Sequence, residues 1–267
     1  MTSLVYELQD ISFSFKKLSV FSGLNLSFMP GRFYGIVGPN GAGKTTLLDI
    51  LSGFRRIDSG RILLNSKELY SYSKNELARL VSLIPQDYRI SFDFTVEEIL
   101  LMGRYPYIGR FNRPTTDDLS ILYDVVKKLN LEDILFKYVT ELSGGERQRV
   151  VFARTLIQNT PVILVDEGTA NLDIYYTLEL MDILSDKVKS FNNTVIACMH
   201  DINLACQYCD FLIYLKDGQV VCFDSIDRIV NEVNIKRVFG VNSTIYHEKT
   251  SGKKYIFFLG GNRCDKK

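Results

Sequence analysis

The sequence predicts an α/β chain with a central, mainly parallel sheet, an N-terminal antiparallel β layer and an inserted helical subdomain. Three observations carry that prediction. The apolar run Phe33-Tyr34-Gly35-Ile36-Val37 leads into Gly38-Pro39-Asn40-Gly41-Ala42-Gly43-Lys44-Thr45-Thr46 and then Leu47-Leu48-Asp49-Ile50-Leu51, a strand, glycine-rich loop and helix with G-x4-G-K-[ST] spacing. Val162–Val165 and Thr194–Met199 are continuous apolar runs, the pattern of strands buried on both faces of a parallel sheet. From about residue 87 to about 142 the periodicity turns helical.

In chain order, residues 4–28 alternate in a β manner, with Ile11, Phe13 and Phe15 on one run and Leu24, Leu26 and Phe28 on the next. Pro30-Gly31 marks the turn before the loop-bearing strand. These opening strands are expected to form an antiparallel layer over a nucleotide base. Phe15 could lay its ring on adenine or be an ordinary strand-end aromatic, and its spacing leaves both readings open.

Phosphate binding explains each unusual residue of the loop. Gly38, Gly41 and Gly43 let backbone N–H groups turn toward an anion. Lys44 is expected to place a point charge on the β- and γ-phosphates, and the Thr45 hydroxyl to ligate Mg²⁺. The helix starting near Gly43 adds unpaired N–H groups and a positive dipole end. Asn40 and Thr46 complete the candidate nucleotide-binding set. A plain glycine-rich turn would have no use for Lys44-Thr45.

A short strand at 61–65 and a buried strand over Leu80–Pro85, followed by Gln86, come next. Thr95 and Glu98 have capping-box spacing for a helix over 96–102. Thr116-Asp117-Asp118 opens another through Lys128, and Arg104–Gly109 is the loop between them. Leu142-Ser143-Gly144-Gly145-Glu146-Arg147-Gln148-Arg149 opens a helix through Ile157. Its Ser143, Gly144 and Gly145 make a second anion-binding helix end. One loop suffices for a triphosphate, so this end needs another phosphate or a different molecule approaching with the same one.

The strand Val162–Asp166 ends in two carboxylates. Asp166 is expected in the Mg²⁺ shell and Glu167 to polarise the attacking water; capping of the next helix is the bland reading. A helix over about 174–189 follows. The strand at 194–199 then puts His200 at the ligand-facing edge of a parallel sheet, unless it is a satisfied structural histidine. Strands near 211–215 and 219–223, a helix near 227–238 and a β-rich tail over 244–259 end the pattern. Boundaries are expected at 1–86 for the β layer and loop core, 87–158 for the helical subdomain, 159–240 for the continued core and 241–267 for the tail, with Asn262 to Lys267 frayed.

A net charge of +1 with a pI near 7.6 excludes the strongly basic class that binds nucleic acid. No apolar run approaches the roughly 18–20 residues of a membrane span, and the first residues lack a signal-peptide pattern. Cys206 and Cys209 have C-x-x-C spacing, but no second pair lies at zinc-like spacing. Buried apolar cysteines are the expectation.

The order of phosphate loop, Gln86, Leu142-Ser143-Gly144-Gly145-Glu146, the Val162–Asp166 strand with Glu167, Asp173 and His200 resembles the ATPase subunits of ABC transporters over nearly the whole chain. Ser-Gly-Gly-Glu separates that family from other phosphate-loop proteins. The resemblance implies a P-loop NTPase fold, ATP and Mg²⁺ as cofactors, and a head-to-tail homodimer with two ATP molecules between the copies. Ser143, Gly144 and Gly145 would then meet a γ-phosphate held by the other copy's loop. It also implies Gln86 at Mg²⁺ or water, Asp173 at the dimer seam, His200 at the γ-phosphate and Phe15 at adenine.

Leu101-Met102-Gly103-Arg104-Tyr105-Pro106, Ala170-Asn171-Leu172-Asp173-Ile174, His200–Ala205 and Val238–Val241 are similar to importers of iron–siderophore complexes, haem and vitamin B12. That narrower likeness implies transmembrane permease subunits as partners and a substrate-binding protein acting indirectly. It also implies a cytoplasmic position, peripheral on the inner face of the cell membrane. Gly168 departs from the family's usual proline and predicts a looser loop. The alternatives are an ABC exporter ATPase, or a soluble ABC ATPase not coupled to transport, which would carry coiled coils or a second cassette.

Overall fold

The computed structural model describes residues 4–16, 18–86, 92–109, 112–167, 173–250 and 252–260. The chain opens with β1 (Tyr6–Phe15), β2 (Leu18–Phe28), β3 (Phe33–Val37), α1 (Lys44–Leu51), β4 (Ser59–Leu64) and β5 (Lys67–Glu68). It continues through α2 (Lys74–Leu80), β6 (Val81–Ile84), α3 (Val96–Leu101), α4 (Thr116–Lys128), α5 (Gly144–Gln158), β7 (Val162–Asp166) and α6 (Ile174–Phe191). Then come β8 (Thr194–Cys198), α7 (Ile202–Tyr208), β9 (Phe211–Lys216), β10 (Gln219–Ser225), α8 (Ile226–Ile229), α9 (Glu232–Phe239), β11 (Ser243–His247) and β12 (Lys254–Phe258). Two compact units result, Met1–Ser71 with Leu184–Lys267, and Tyr72–Ile183, the division falling inside α6.

In the first unit, β1 lies antiparallel between β2 and β4, with Leu8 opposite both Leu26 and Ile62. The alternating residues give this layer one buried face. Tyr6 donates its hydroxyl to the Leu51 carbonyl (2.6 Å), tying β1 to the end of α1. Every residue of β3 is buried, because parallel partners β8 and β9 flank it. Strand β10 pairs antiparallel with β9. The tail hairpin β11–β12 is held on α7 by Asn203, which donates to the Ile256 carbonyl (3.2 Å) and accepts from its amide (2.7 Å).

The second unit carries the parallel pair β6–β7 and the helical insertion. Its interior holds an ion pair, Arg104 Nε to Asp118 Oδ1 at 2.7 Å, with both side chains less than a tenth exposed. Arg104 also donates to the Ile157 carbonyl (3.1 Å) and stacks its guanidinium 4.0 Å from the centre of the Tyr107 ring. Burial works against the Asp118 charge. The Thr115 amide and hydroxyl and the Arg104 guanidinium outweigh it and hold the carboxyl below its ordinary value.

A depressed folded-state pKa stabilises above the unfolded value, and the contribution disappears as pH falls through the folded one. Unfolding midpoints should therefore hold from pH 7 to about 5 and drop below about pH 4. Asp118→Asn should flatten part of that drop in chemical denaturation. An unchanged acid limb would remove Asp118 as a source.

Two elements differ from the sequence reading. Helix α2 was not expected, and Leu80 ends it instead of opening the strand. The helix near 227–238 is two helices, because Val230 turns extended and the Asn231 side chain caps α9 by accepting from the Asn234 amide (2.9 Å). No described helix is long and apolar enough to cross a membrane. The expectations for Gly168, Ala170 to Leu172 and Asn262 to Lys267 fall outside the described residues.

Candidate functional site

In the first unit the phosphate loop joins the buried end of β3 to α1. At Gly38 a Cβ would lie 1.9 Å from the Leu215 carbonyl oxygen, so the chain passes too close for any side chain. Gly43, the N-cap of α1, has φ 99, a left-handed conformation that favours glycine. Lys44 is buried, and its ammonium donates to the carbonyls of Gly38 (3.0 Å) and Pro39 (3.2 Å). Its charge is thus folded into the loop it follows. Asn40, Gly41 and Thr45 are exposed, with Thr46 half-buried.

The same unit places His200 just beyond β8. The pairing of Ile36 with Cys198 and the Met199 amide bonded to the Ile36 carbonyl (3.0 Å) run the two strands in step. His200 follows at the strand edge from which the phosphate loop also springs. Phe15, at the tip of the β1–β2 hairpin, is 40% exposed and meets Phe13 edge-on at 5.0 Å.

In the second unit, β6 and β7 pair with Ile84 opposite Val165. Two residues on, that register brings Gln86 and Glu167 together, and Gln86 Nε2 donates to Glu167 Oε2 at 2.6 Å. Glu167 has φ 50, a conformation costing a non-glycine residue about 1–3 kcal/mol. Its neighbour Asp166 is buried. This clamp and this strained backbone were not read from the sequence; equal spacing of polar residues past two parallel strands would have suggested the first.

Ser143 caps α5 with a complete capping box. Its hydroxyl accepts from the Glu146 amide (3.3 Å) and donates to Glu146 Oε2 (2.6 Å), while its own amide donates to the same carboxylate (2.9 Å). The Ser143 hydroxyl and amide lower the Glu146 pKa. A Cβ at Gly144 or Gly145 would meet nothing within 4 Å. The fold itself does not require glycine there, so their bareness leaves room for something from outside. Asp173 is exposed at the head of α6 and accepts from the Tyr176 amide (2.9 Å).

A phosphate loop with its lysine and a glycine-bare capped helix belong together in one known family. The profile of that family, described as ABC transporter, matches residues 21–170, more than half the chain. An uncharacterized ABC transporter ATP-binding protein of Methanocaldococcus jannaschii is 37% identical over 260 residues, 97% of this chain and 100% of that protein. The chain belongs to the ABC transporter family.

Within that family it is an ATP-binding, ATP-hydrolysing subunit. The ferric enterobactin transport ATP-binding protein FepC of Escherichia coli is 32% identical over 252 residues, 94% of this ABC ATPase and 93% of FepC. A solved transporter described as of metal-chelate type, in an inward-facing conformation, superposes with a TM-score of 0.82 at 26% identity, covering 97% of this chain and 98% of that one.

Cys206 and Cys209, the pair with C-x-x-C spacing, are both buried. Burial pushes the Cys206 thiol up to about 11 and raises Cys209 too, so neither is a ready thiolate. Among the described residues no group of three or more His, Cys, Asp or Glu is placed to hold a metal.

Proposed function

We propose that this ABC ATPase powers the import of an iron chelate or a related metal complex, working as a homodimer on membrane permease subunits. The observation that carries the dimer is the bare α5 end, where Gly144 and Gly145 leave open space the fold does not use. A phosphate presented by a second copy is an occupant of the right charge for a helix N-terminus. Next to Asp173, Ile174 and Tyr175 are 80% and 68% exposed, apolar surface suited to a partner. The chelate reading is supported by the relatives: FepC is named a ferric enterobactin transport ATP-binding protein, and the solved transporter is described as of metal-chelate type. The permease would dock on the second unit, where Lys74, Ala78, Met102, Tyr105, Pro106 and Arg154 line a cavity of about 410 Å³. In this reading the subunit sits peripherally on the inner face of the membrane, and a substrate-binding protein acts only through the permease.

Each site residue has a role in this reading. Gly38 to Gly43, with Asn40, Thr46 and Lys44, hold the phosphates, and Phe15 supports the adenine. Thr45, Gln86 and Asp166 offer a hydroxyl, an amide oxygen and a carboxylate, a donor set that suits Mg²⁺. The Gln86 nitrogen is committed to Glu167, which leaves its oxygen for the metal. Bound Mg²⁺ would neutralise charge developing on the phosphates. Glu167 orients the attacking water and takes its proton, while His200 donates to the γ-phosphate.

Vesicles carrying the permease and this subunit test the whole reading. ATP on the subunit's side should drive inward uptake of a ferric siderophore supplied with the binding protein. Outward movement would make it an exporter, and ATP turnover indifferent to the permease would uncouple it from transport. Lys44→Ala should weaken ATP binding by roughly ten- to a hundredfold, the value of a hydrogen bond to charge; unchanged affinity in equilibrium dialysis would sink that role.

A further inference from the structure

Phe15 does not stand alone at its hairpin tip. The guanidinium of Arg55 lies 4.6 Å from the centre of its ring. That distance is inside the range of a cation–π contact. Arg55 is itself held at several points. Its Nε donates to Asp49 Oδ2 at 2.7 Å. Its amide donates to the Asp49 carbonyl (3.1 Å), and its own carbonyl accepts from the Tyr70 hydroxyl (3.1 Å). Asp49 lies on α1, the helix that begins at the phosphate loop. The ring of Phe15 is therefore fixed on one face by a cation anchored to the phosphate-loop helix, with Phe13 at its edge, and it still keeps 40% of its surface exposed.

We propose that Arg55 is a positioning residue for the nucleotide base: it covers one face of Phe15 and fixes the other face as the stacking platform for a purine. The proposal rests on the reading of Phe15 as the base platform and adds the residue that holds it. Its chemistry is specific. A cation on one face draws ring density toward it, and an electron-rich purine stacks better on the face left open. The ion pair with Asp49 fixes the platform relative to α1, so base and phosphates are read from one rigid piece. Arg55 touches neither phosphate nor water in this account, so its effect should follow the base alone.

The test is equilibrium binding of ATP and of inorganic tripolyphosphate, which lacks base and sugar, to the full chain and four variants: Arg55→Ala, Arg55→Lys, Phe15→Ala and the Arg55→Ala/Phe15→Ala double variant. Arg55→Ala should weaken ATP binding by about two- to fivefold, the range of an exposed cation–π contact, and leave tripolyphosphate unchanged. Arg55→Lys should restore part of the loss. In the Arg55→Ala/Phe15→Ala double variant the two losses should not add. Equal weakening of both ligands would reduce Arg55 to a structural role and overturn the proposal. So would tighter ATP binding, since Arg55 would then occupy the purine's place. If Phe15→Ala weakens ATP binding and Arg55→Ala does not, the proposal fails alone; if neither changes it, the platform reading of Phe15 fails first.

Discussion

Glu167→Gln should slow ATP hydrolysis by about a hundred- to ten-thousandfold, the range of a positioned general base, and leave ATP binding intact. Glutamine keeps the size of the side chain and keeps an oxygen to accept the 2.6 Å bond from Gln86. It tolerates the φ of 50 no worse than glutamate. What it removes is the negative charge that would draw the proton from water. The phosphate loop is untouched, so affinity should persist while turnover collapses. Phosphate release in the steady state, set beside equilibrium ATP binding, checks both halves. Turnover at the wild-type rate would take the base role from Glu167.

Arg104→Ala should destabilise the second unit by about 3–5 kcal/mol, the cost of leaving one member of a buried ion pair uncompensated. Asp118 would keep its Thr115 bonds and lose its counter-charge. The Ile157 carbonyl would lose its donor and Tyr107 its stacked cation. Native-state hydrogen exchange at amides of α4 and α5 reads this locally: their protection should fall by roughly a hundred- to a few-thousandfold. Arg104→Lys should recover little, because an ammonium cannot serve Asp118, Ile157 and the ring face at once. Protection unchanged in Arg104→Ala would mean that the pair is structurally idle.

How much of this was legible beforehand depended on the kind of signal each feature leaves. The phosphate loop and the α5 cap were readable because their chemistry sits in consecutive residues. The buried strands were readable because burial on both faces erases alternation. Helix α2 escaped because it is seven residues long and its apolar residues, Leu77, Ala78 and Leu80, lie at its end and run straight into the apolar strand β6. Its one mark was Ser73 with Glu76 three residues on, the same box that gave α3 away at Thr95 and Glu98. The split before α9 hung on one side-chain cap at Asn231. The Arg104–Asp118 pair joins a loop to a helix across no fixed spacing, and charged residues are expected outside unless paired. The φ of Glu167 and the cation on Phe15 exist only once the backbone is folded.

Strand β3, which carries the phosphate loop, has a consequence for a ribosome-bound chain. Both of its partners come late: Phe33 pairs with Val195 and Tyr34 with Phe211, about 160 and 180 residues downstream. At translation rates of roughly 5–20 residues per second, the fully apolar β3 waits on the order of ten to thirty seconds for its neighbours. During that interval the nascent segment offers a sticky edge and an unframed loop. During vectorial synthesis the strand that carries the loop is thus framed on both sides only after β8 and β9 have emerged.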